Sequence, residues 1–270
     1  MSPSIVGRDA ELQSLHACVA AGRHVLLEGP VGVGKTVLAR AVCAALARGL
    51  HRVDGDGRYT ESKLVGQFDP PAVLAGGYRP EHFLPGPLTR AMREGGVLFV
   101  NELNRMPEGV QNVLLPAMDE GALQVPMLGE IRAAPGFVLI ATQNPSEFVA
   151  TGALSEALLD RFELVRLDYQ TEEEERAIVH RDCRCAPNAE IVAEAVAIVR
   201  ATRTDPRIRR GASVRAAIAI ADIAVRLDGD VARAATLALP TRIELADTTN
   251  TRIADVLATL KKKVTPSPER

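Results

Sequence analysis

Gly29-Pro30-Val31-Gly32-Val33-Gly34-Lys35-Thr36 reads G-x-x-x-x-G-K-T, the pattern of a phosphate-binding loop. Its flanks agree with that reading. Val25-Leu26-Leu27-Glu28 before it is an apolar run of strand length, and residues 37–46 after it are apolar at helical spacing. Three glycines permit positive φ and let backbone come close to a ligand. Successive N–H groups then face one anion, and the following helix adds its positive N-terminal end. Lys35 brings a full charge to the outer phosphates, and the Thr36 hydroxyl is placed to ligate Mg²⁺. Pro30, Val31, Gly32, Val33, Gly34, Lys35, Thr36 and Val37 are therefore candidate contacts to a nucleoside triphosphate.

The bulk properties narrow the class. A chain of 270 residues holds one large domain or two smaller ones. A net charge of −2 gives no global basic field for nucleic acid. Hydrophobic residues make up 47%, yet only 3% are aromatic and Trp is absent, so the core must be built from Ala, Val, Leu and Ile. That composition suits tightly packed helices on a sheet and argues against a base-stacking surface. Cys18, Cys43, Cys183 and Cys185 read as incidental thiols of a reducing cytosol, because Cys183-Arg184-Cys185 has no second Cys/His pair at zinc-finger spacing. No signal peptide opens the sequence and no apolar run reaches spanning length, so a soluble, cytoplasmic protein without membrane insertion is expected.

Taken in order, the chain predicts a helix from Asp9 to Ala21 with Asp9 as its N-cap, the loop strand, and a short strand over 51–55. Residues 56–90 are dense in Pro and Gly and read as irregular, with a helix resuming over 88–93. Strands at 96–102, 136–142 and 163–167 alternate with helices at 107–119 and 154–161, and a β-hairpin is expected within 122–135. Alternation of this kind implies a parallel sheet covered on both faces. Beyond Asp168 only helices are predicted, near 171–182, 188–203, 211–227, 230–239 and 250–262. The expected domains are thus an α/β nucleotide-binding domain over 1–169 and an all-α domain over 170–263, with a disordered tail over 264–270.

Phosphoryl transfer to water needs a metal and a positioned water. The end of the strand at 96–102 is where those groups belong. Usually an Asp orients the metal shell there and a Glu polarises the attacking water. Here the pair is Asn101-Glu102. Glu102 keeps the role of base. Asn101 still offers an oxygen toward the metal, alongside Thr36, but lacks the charge that favours Mg²⁺, so reduced metal affinity or turnover is expected.

With these motifs in order, the chain resembles the AAA+ ATPases, and among them the MoxR-type family, over nearly its whole length. Asn101-Glu102-Leu103-Asn104-Arg105-Met106-Pro107 is similar to the family's D-E-x-N-R-x-P, apart from Asn101. Gly86-Pro87-Leu88, Ala141-Thr142-Gln143-Asn144-Pro145 and Leu158-Leu159-Asp160-Arg161-Phe162 resemble further family segments. Gly211-Ala212-Ser213-Val214-Arg215-Ala216 does too, with Val214 in place of Pro. The resemblance implies a P-loop NTPase fold with a five-stranded parallel sheet, helices on both faces and a C-terminal all-α lid. It implies that 69–86 is a helix-2 insertion and 122–135 a presensor hairpin. Lys35, Glu102, Asn144, Arg161 and Arg215 become the catalytic set: Asn144 on the attacking water or γ-phosphate, Arg161 a finger toward the neighbouring subunit's ATP, Arg215 reaching back to the phosphates in cis. Val6 and Gly7 would line the adenine pocket, and Arg105 would make a second contact between subunits.

The resemblance further implies an ATPase using ATP and Mg²⁺ in a homo-oligomeric ring, a hexamer, that remodels or activates a partner protein, such as one with a von Willebrand factor A domain. Nucleic acid is not an expected partner. Two rivals stay open at this point: a DNA-linked AAA+ motor subunit of a restriction-type system, and a nucleotide-dependent scaffold whose hydrolysis is weakened by Asn101.

Overall fold

The structure is a computed structural model that describes residues 5–144, 154–246, 255, 256 and 259. The chain forms two compact units, one of Met1–Pro30 with Gly34–Asp168 and one of Val31–Val33 with Tyr169–Arg270.

The first unit runs α1 (Asp9–Ala20), β1 (Val25–Glu28), α2 (Lys35–Ala45), β2 (Leu50–Asp54), α3 (Glu61–Val65), β3 (Gly66–Phe68), α4 (Pro70–Gly76), β4 (Phe83–Pro85), α5 (Pro87–Glu94) and β5 (Val97–Asn101). It continues with α6 (Glu108–Asn112), α7 (Leu114–Asp119), β6 (Ala122–Val125), β7 (Gly129–Arg132), β8 (Val138–Gln143), α8 (Glu156–Leu159) and β9 (Glu163–Arg166). Five strands form one sheet in the order β2-β5-β8-β1-β9, and every neighbouring pair is parallel. Parallel strands are buried on both faces, which is why β5 and β8 read as unbroken apolar runs. One face carries Leu26, Leu98, Val100, Leu139 and Ala141 into a core shared with Leu88, Met92, Leu103, Leu114 and Leu158. By the two-residue alternation of a strand, the equally buried Val25, Leu27, Phe99 and Ile140 face the other way. On that side α1 meets β1 and β9, and α2 meets β5.

Several local expectations change. Arg8, in the left-handed region at φ 72°, is the N-cap of α1, and Asp9 is the first helical residue. The helix expected over 107–119 is broken at Val113 into α6 and α7. Pro116 explains the break: it has no N–H to give, and its ring crowds the carbonyl four residues earlier. Residues 56–90 are ordered rather than irregular. Thr60 caps α3 by accepting the Lys63 N–H at 3.3 Å, and β3 pairs antiparallel with β4 around α4. Phe68 meets Tyr78 and Phe83 edge-on, with centroids 5.0 and 5.4 Å away. The hairpin within 122–135 is β6 paired antiparallel with β7.

The second unit holds α9 (Glu172–Asp182), α10 (Ala189–Thr204), β10 (Ile208–Arg210), α11 (Val214–Val225), α12 (Val231–Ala238) and β11 (Glu244–Leu245). Its expected all-helical character is modified by the antiparallel β10–β11 ladder. Strands of two and three residues are shorter than any window in which period-two alternation can be read. Thr171 and Glu174 close a capping box at the start of α9. Buried Glu175 pairs with Arg200 at 3.1 Å and Arg203 at 2.7 Å, tying α9 to α10. Ala195, Ala216, Ala217, Ala221, Ala224 and Ala234 are almost fully buried, so small side chains fill this core. Most of the helix expected over 250–262, and the whole tail over 264–270, lie outside the described residues.

His24 stitches one edge of the sheet. Its Nδ1 accepts the Leu139 N–H at 2.9 Å, so Nε2 carries the hydrogen and donates to the Met118 carbonyl at 3.2 Å. Burial, opposed by the Met118 contact, holds the His24 pKa below its ordinary 6.5. A depressed folded pKa stabilises the fold fully above the unfolded value, and that stability is lost as pH falls from 6.5 toward the folded pKa. Urea midpoints of the wild type should therefore drop as pH goes from 7 toward 5 by more than those of His24→Gln, whose profile should be flatter over that window.

Candidate functional site

A parallel sheet gathers all its strand ends at one edge, and the loop after β1 starts there. Gly29 follows β1 at φ 158°, and a side chain on it would stand 2.2 Å from the Leu167 carbonyl oxygen. Gly34, at φ 96°, is the N-cap of α2. Lys35 folds back over the loop and donates from Nζ to the Pro30 carbonyl at 2.9 Å and to the Gly29 carbonyl. Thr36 is the second residue of α2. Val31 stands exposed on the loop, and Val37 is exposed on the first turn of the helix.

Asn144 follows β8, the strand between β1 and β5, and is buried. Strand order thus sets it between the loop and the Asn101-Glu102 pair. The Gln143 side chain beneath the loop donates to Glu28 at 2.7 Å, and Arg166 on β9 meets the same carboxylate at 3.3 Å. Val6 and Gly7 precede α1. Arg8 next to them pairs with Glu11 at 2.7 Å and donates to the Asp168 carbonyl just past β9, so this segment lies at the same edge as the loop.

Glu102 occupies the left-handed region at φ 57°, ψ 52°. Its N–H donates to the Thr142 hydroxyl at 2.8 Å, and its carboxylate meets Arg105 Nε at 3.1 Å. Arg105, expected at a subunit contact, is thus also a partner of Glu102 within the chain. The Asn101 side chain is engaged at both ends: its oxygen accepts from Thr142 at 3.1 Å, and its Nδ2 donates to Asp54 at 3.0 Å. The Arg52 guanidinium, then the Asn101 amide, hold the Asp54 carboxyl below its ordinary pKa, so Asp54 is charged at neutral pH. Gly55 packs its backbone against this turn. A side chain there would stand 2.1 Å from the Glu102 carbonyl oxygen.

Arg161 is not at this edge. It precedes β9, whose first residue, Glu163, pairs with Val25 at the start of β1. The sheet's width along β1, about 10 Å at 3.3 Å per residue, therefore separates the two ends. Two nitrogens on one side of the Arg161 guanidinium engage Asp119, Nε to Oδ1 and Nη2 to Oδ2, each at 2.6 Å. This contact draws the Asp119 carboxyl below its ordinary pKa and raises that of Arg161. Arg215 is exposed on the first turn of α11, in the second unit.

The group of residues at the loop edge fits a metal brought in with phosphates. Thr36 supplies a hydroxyl and Glu102 a carboxylate, hard oxygen donors suited to Mg²⁺, whereas the Asn101 oxygen, expected to face the metal, already accepts from Thr142. Among the described residues no cluster of three or more His, Cys, Asp or Glu forms a metal cage of its own. The four cysteines are free, and burial pushes the Cys43 and Cys183 thiols up to about 11, leaving them protonated. Asp54 and Asp119 belong to no motif, and Thr142 lies within the Ala141–Pro145 segment without a role of its own assigned there. Thr142 could have been found, since alternation puts it on the same face as Asn144. The other two depend on strand register and tertiary packing.

Loop, strand order and carboxylate together define a P-loop nucleoside-triphosphate site. A family model for the AAA domain (dynein-related subfamily) matches residues 24–162. The uncharacterized protein YeaC of Bacillus subtilis is 30% identical over 239 residues, 79% of this chain and 71% of its own length. NorQ of Paracoccus denitrificans is 32% identical, covering 67% and 66%. The gas vesicle ATPase GvpN of Haloferax mediterranei is 34% identical, covering 58% and 50%. The chain belongs to the AAA+ ATPases, in their MoxR-type branch. It spans only about half the length of several curated relatives, 56% for one from Staphylococcus haemolyticus. Solved structures share the fold. A candidate ATPase of Cytophaga hutchinsonii superposes with a TM-score of 0.55 at 23% identity, covering 97% of this chain and 91% of its own. The RuvB Holliday junction branch migration motor of Thermotoga maritima gives 0.53 at 23% identity, covering 86% and 70%. No helix among the described residues is long and apolar enough to cross a membrane.

The close approach at Gly55 yields a direct test of the Glu102 turn. Gly55→Ala forces a methyl into the Glu102 carbonyl and should cost about 1–3 kcal/mol of stability, as overpacking does. Urea unfolding measures it, with Gly57→Ala, whose nearest neighbour is 3.9 Å away, as the control that should change little.

Proposed function

We propose that the chain binds ATP with Mg²⁺ and hydrolyses it at interfaces between copies of itself arranged in a ring, six being the family expectation. The observation that carries this reading is the separation of Arg161 from the phosphate loop. An arginine at the start of β9 is too far from its own chain's loop to touch a γ-phosphate there. A head-to-tail neighbour can bring the two edges together, and heterologous contacts of that kind close into rings.

In the proposed cycle the loop N–H groups and Lys35 hold the phosphates, and Val6 and Gly7 flank the base. Glu102 takes the proton of the attacking water, while Asn144 orients that water or the γ-phosphate. Thr36 would hold Mg²⁺ brought in with the phosphates, and the ion would supply positive charge to the transferring group. Arg161 of the neighbour stabilises the transition state, at the cost of leaving Asp119. The family resemblance supports a nucleotide-sensing role for Arg215. The work done is remodelling or activation of a partner protein. The family resemblance supports a von Willebrand factor A domain partner, and four free thiols support a location in the cytoplasm.

Complementation tests the shared site. Lys35→Ala should lose ATP binding, and Arg161→Ala should bind ATP but not turn it over. Arg161 sits on the surface, so its substitution should leave the unfolding midpoint of the isolated chain essentially unchanged. An equimolar mixture of the two inactive proteins should recover phosphate release, because about a quarter of head-to-tail interfaces then combine an intact loop with an intact arginine. A mixture as inactive as its components would contradict the reading.

A further inference from the structure

An amide at position 101 looks like a loss when only the sequence is considered. The structure gives it a different meaning. The parallel register of β2 and β5 sets Asp54 directly beside Asn101. Their side chains touch, Nδ2 to Oδ1, at 3.0 Å. On the other side the Thr142 hydroxyl donates to the Asn101 oxygen at 3.1 Å, and that hydroxyl oxygen accepts the Glu102 N–H at 2.8 Å. At the far end Arg52 grips Asp54 with Nε at 3.0 Å to Oδ2 and Nη2 at 2.7 Å to Oδ1. Donors and acceptors therefore form a connected row across three adjacent strands, ending on the backbone of Glu102.

We propose that Asp54 is a positioning residue for Glu102, and that residue 101 is an amide because Asp54 stands beside it. The proposal rests on the reading of Glu102 as the base. Unlike an ionised carboxylate, an amide can donate to a carboxylate on one side and accept from a hydroxyl on the other. An Asp at 101 would bring a second carboxylate to Asp54 at hydrogen-bond distance, where like charges oppose each other. It would also deprive Asp54 of its donor. With the amide in place, the Thr142 hydrogen is committed to Asn101 and its lone pair is left facing the Glu102 N–H. That bond helps hold Glu102 in the left-handed region, which non-glycine residues seldom occupy. Gly55 closes the same turn from the other side, donating its N–H to the Asn101 carbonyl at 2.7 Å. The direction in which the Glu102 side chain leaves the strand is thus set through Asn101 by a residue on the next strand.

Reciprocal exchange tests this. Asn101→Asp, Asp54→Asn and the double variant are compared with the wild-type full chain for unfolding midpoint, ATP affinity by equilibrium binding, KM and kcat. Asn101→Asp should lower the midpoint and reduce kcat about tenfold or more, a share of what a positioned base contributes, with ATP affinity and KM little changed. Asp54→Asn added to it should restore both, because carboxylate and amide have merely changed places. A contact that is only structural would lower kcat no further than the loss of folded protein accounts for. If Asn101→Asp instead raises kcat or tightens Mg²⁺-dependent nucleotide binding, position 101 is a weakened metal ligand and the proposal is overturned. Strictly additive effects on the midpoint overturn it as well. Absence of turnover by assembled wild-type protein would overturn the proposed function instead, and the four-protein cycle of midpoints would still decide whether the amide depends on Asp54.

Discussion

The structure depends on one constraint: all five strands of the central sheet run the same way. Their carboxyl ends then share an edge, and the order β2-β5-β8-β1-β9 sets the phosphate loop beside Asn144, and Asn144 beside Asn101-Glu102. The same constraint sends whatever precedes β9 to the opposite edge. Arg161 and its partner Asp119 lie there, near His24 and the start of β1. A single chain therefore cannot assemble the full proposed catalytic set. Incompleteness of the monomer is a geometric outcome of strand direction, and the proposed requirement for assembly follows from it.

Within the loop edge, the arrangement of Glu102 is governed by contacts that the linear motifs do not display. The turn is left-handed at a non-glycine residue, and three neighbours hold it: the Thr142 hydroxyl, the bare backbone of Gly55 and the side chain of Arg105. In the unassembled chain both the proposed base and the proposed finger are ion-paired, Glu102 with Arg105 and Arg161 with Asp119. Exposed pairs of this kind are weak enough to be exchanged for new partners. Ligand and neighbour therefore compete with contacts that are easily given up.

Much of this was legible in the residues. The phosphate loop, the buried strands and the order of motifs can be read because each rests on local chemistry: glycines where the backbone must turn, apolar runs where both faces are covered. The break at Val113 was missed, because the apolar spacing over 107–119 was weighed above Pro116. Asp54 was not legible. It ends a short strand, and its meaning comes from lying in register with Asn101, forty-seven positions away. Asp119 is likewise an ordinary acidic residue at a helix end until packing sets it beside Arg161. The β10–β11 ladder is too short to leave a periodic trace. Asn101 illustrates the limit best. Its chemistry as a single residue suggested a deficit, while its neighbours make it the middle of a hydrogen-bonded row.

In the proposed assembly each copy of the chain supplies part of its neighbour's working site. ATP turnover per chain, measured as a function of protein concentration alongside mass from light scattering, tests this most directly. Specific activity should rise with concentration in step with the assembled fraction and vanish where the chain is monomeric. Constant activity per chain down to concentrations at which only monomer is present would contradict the account.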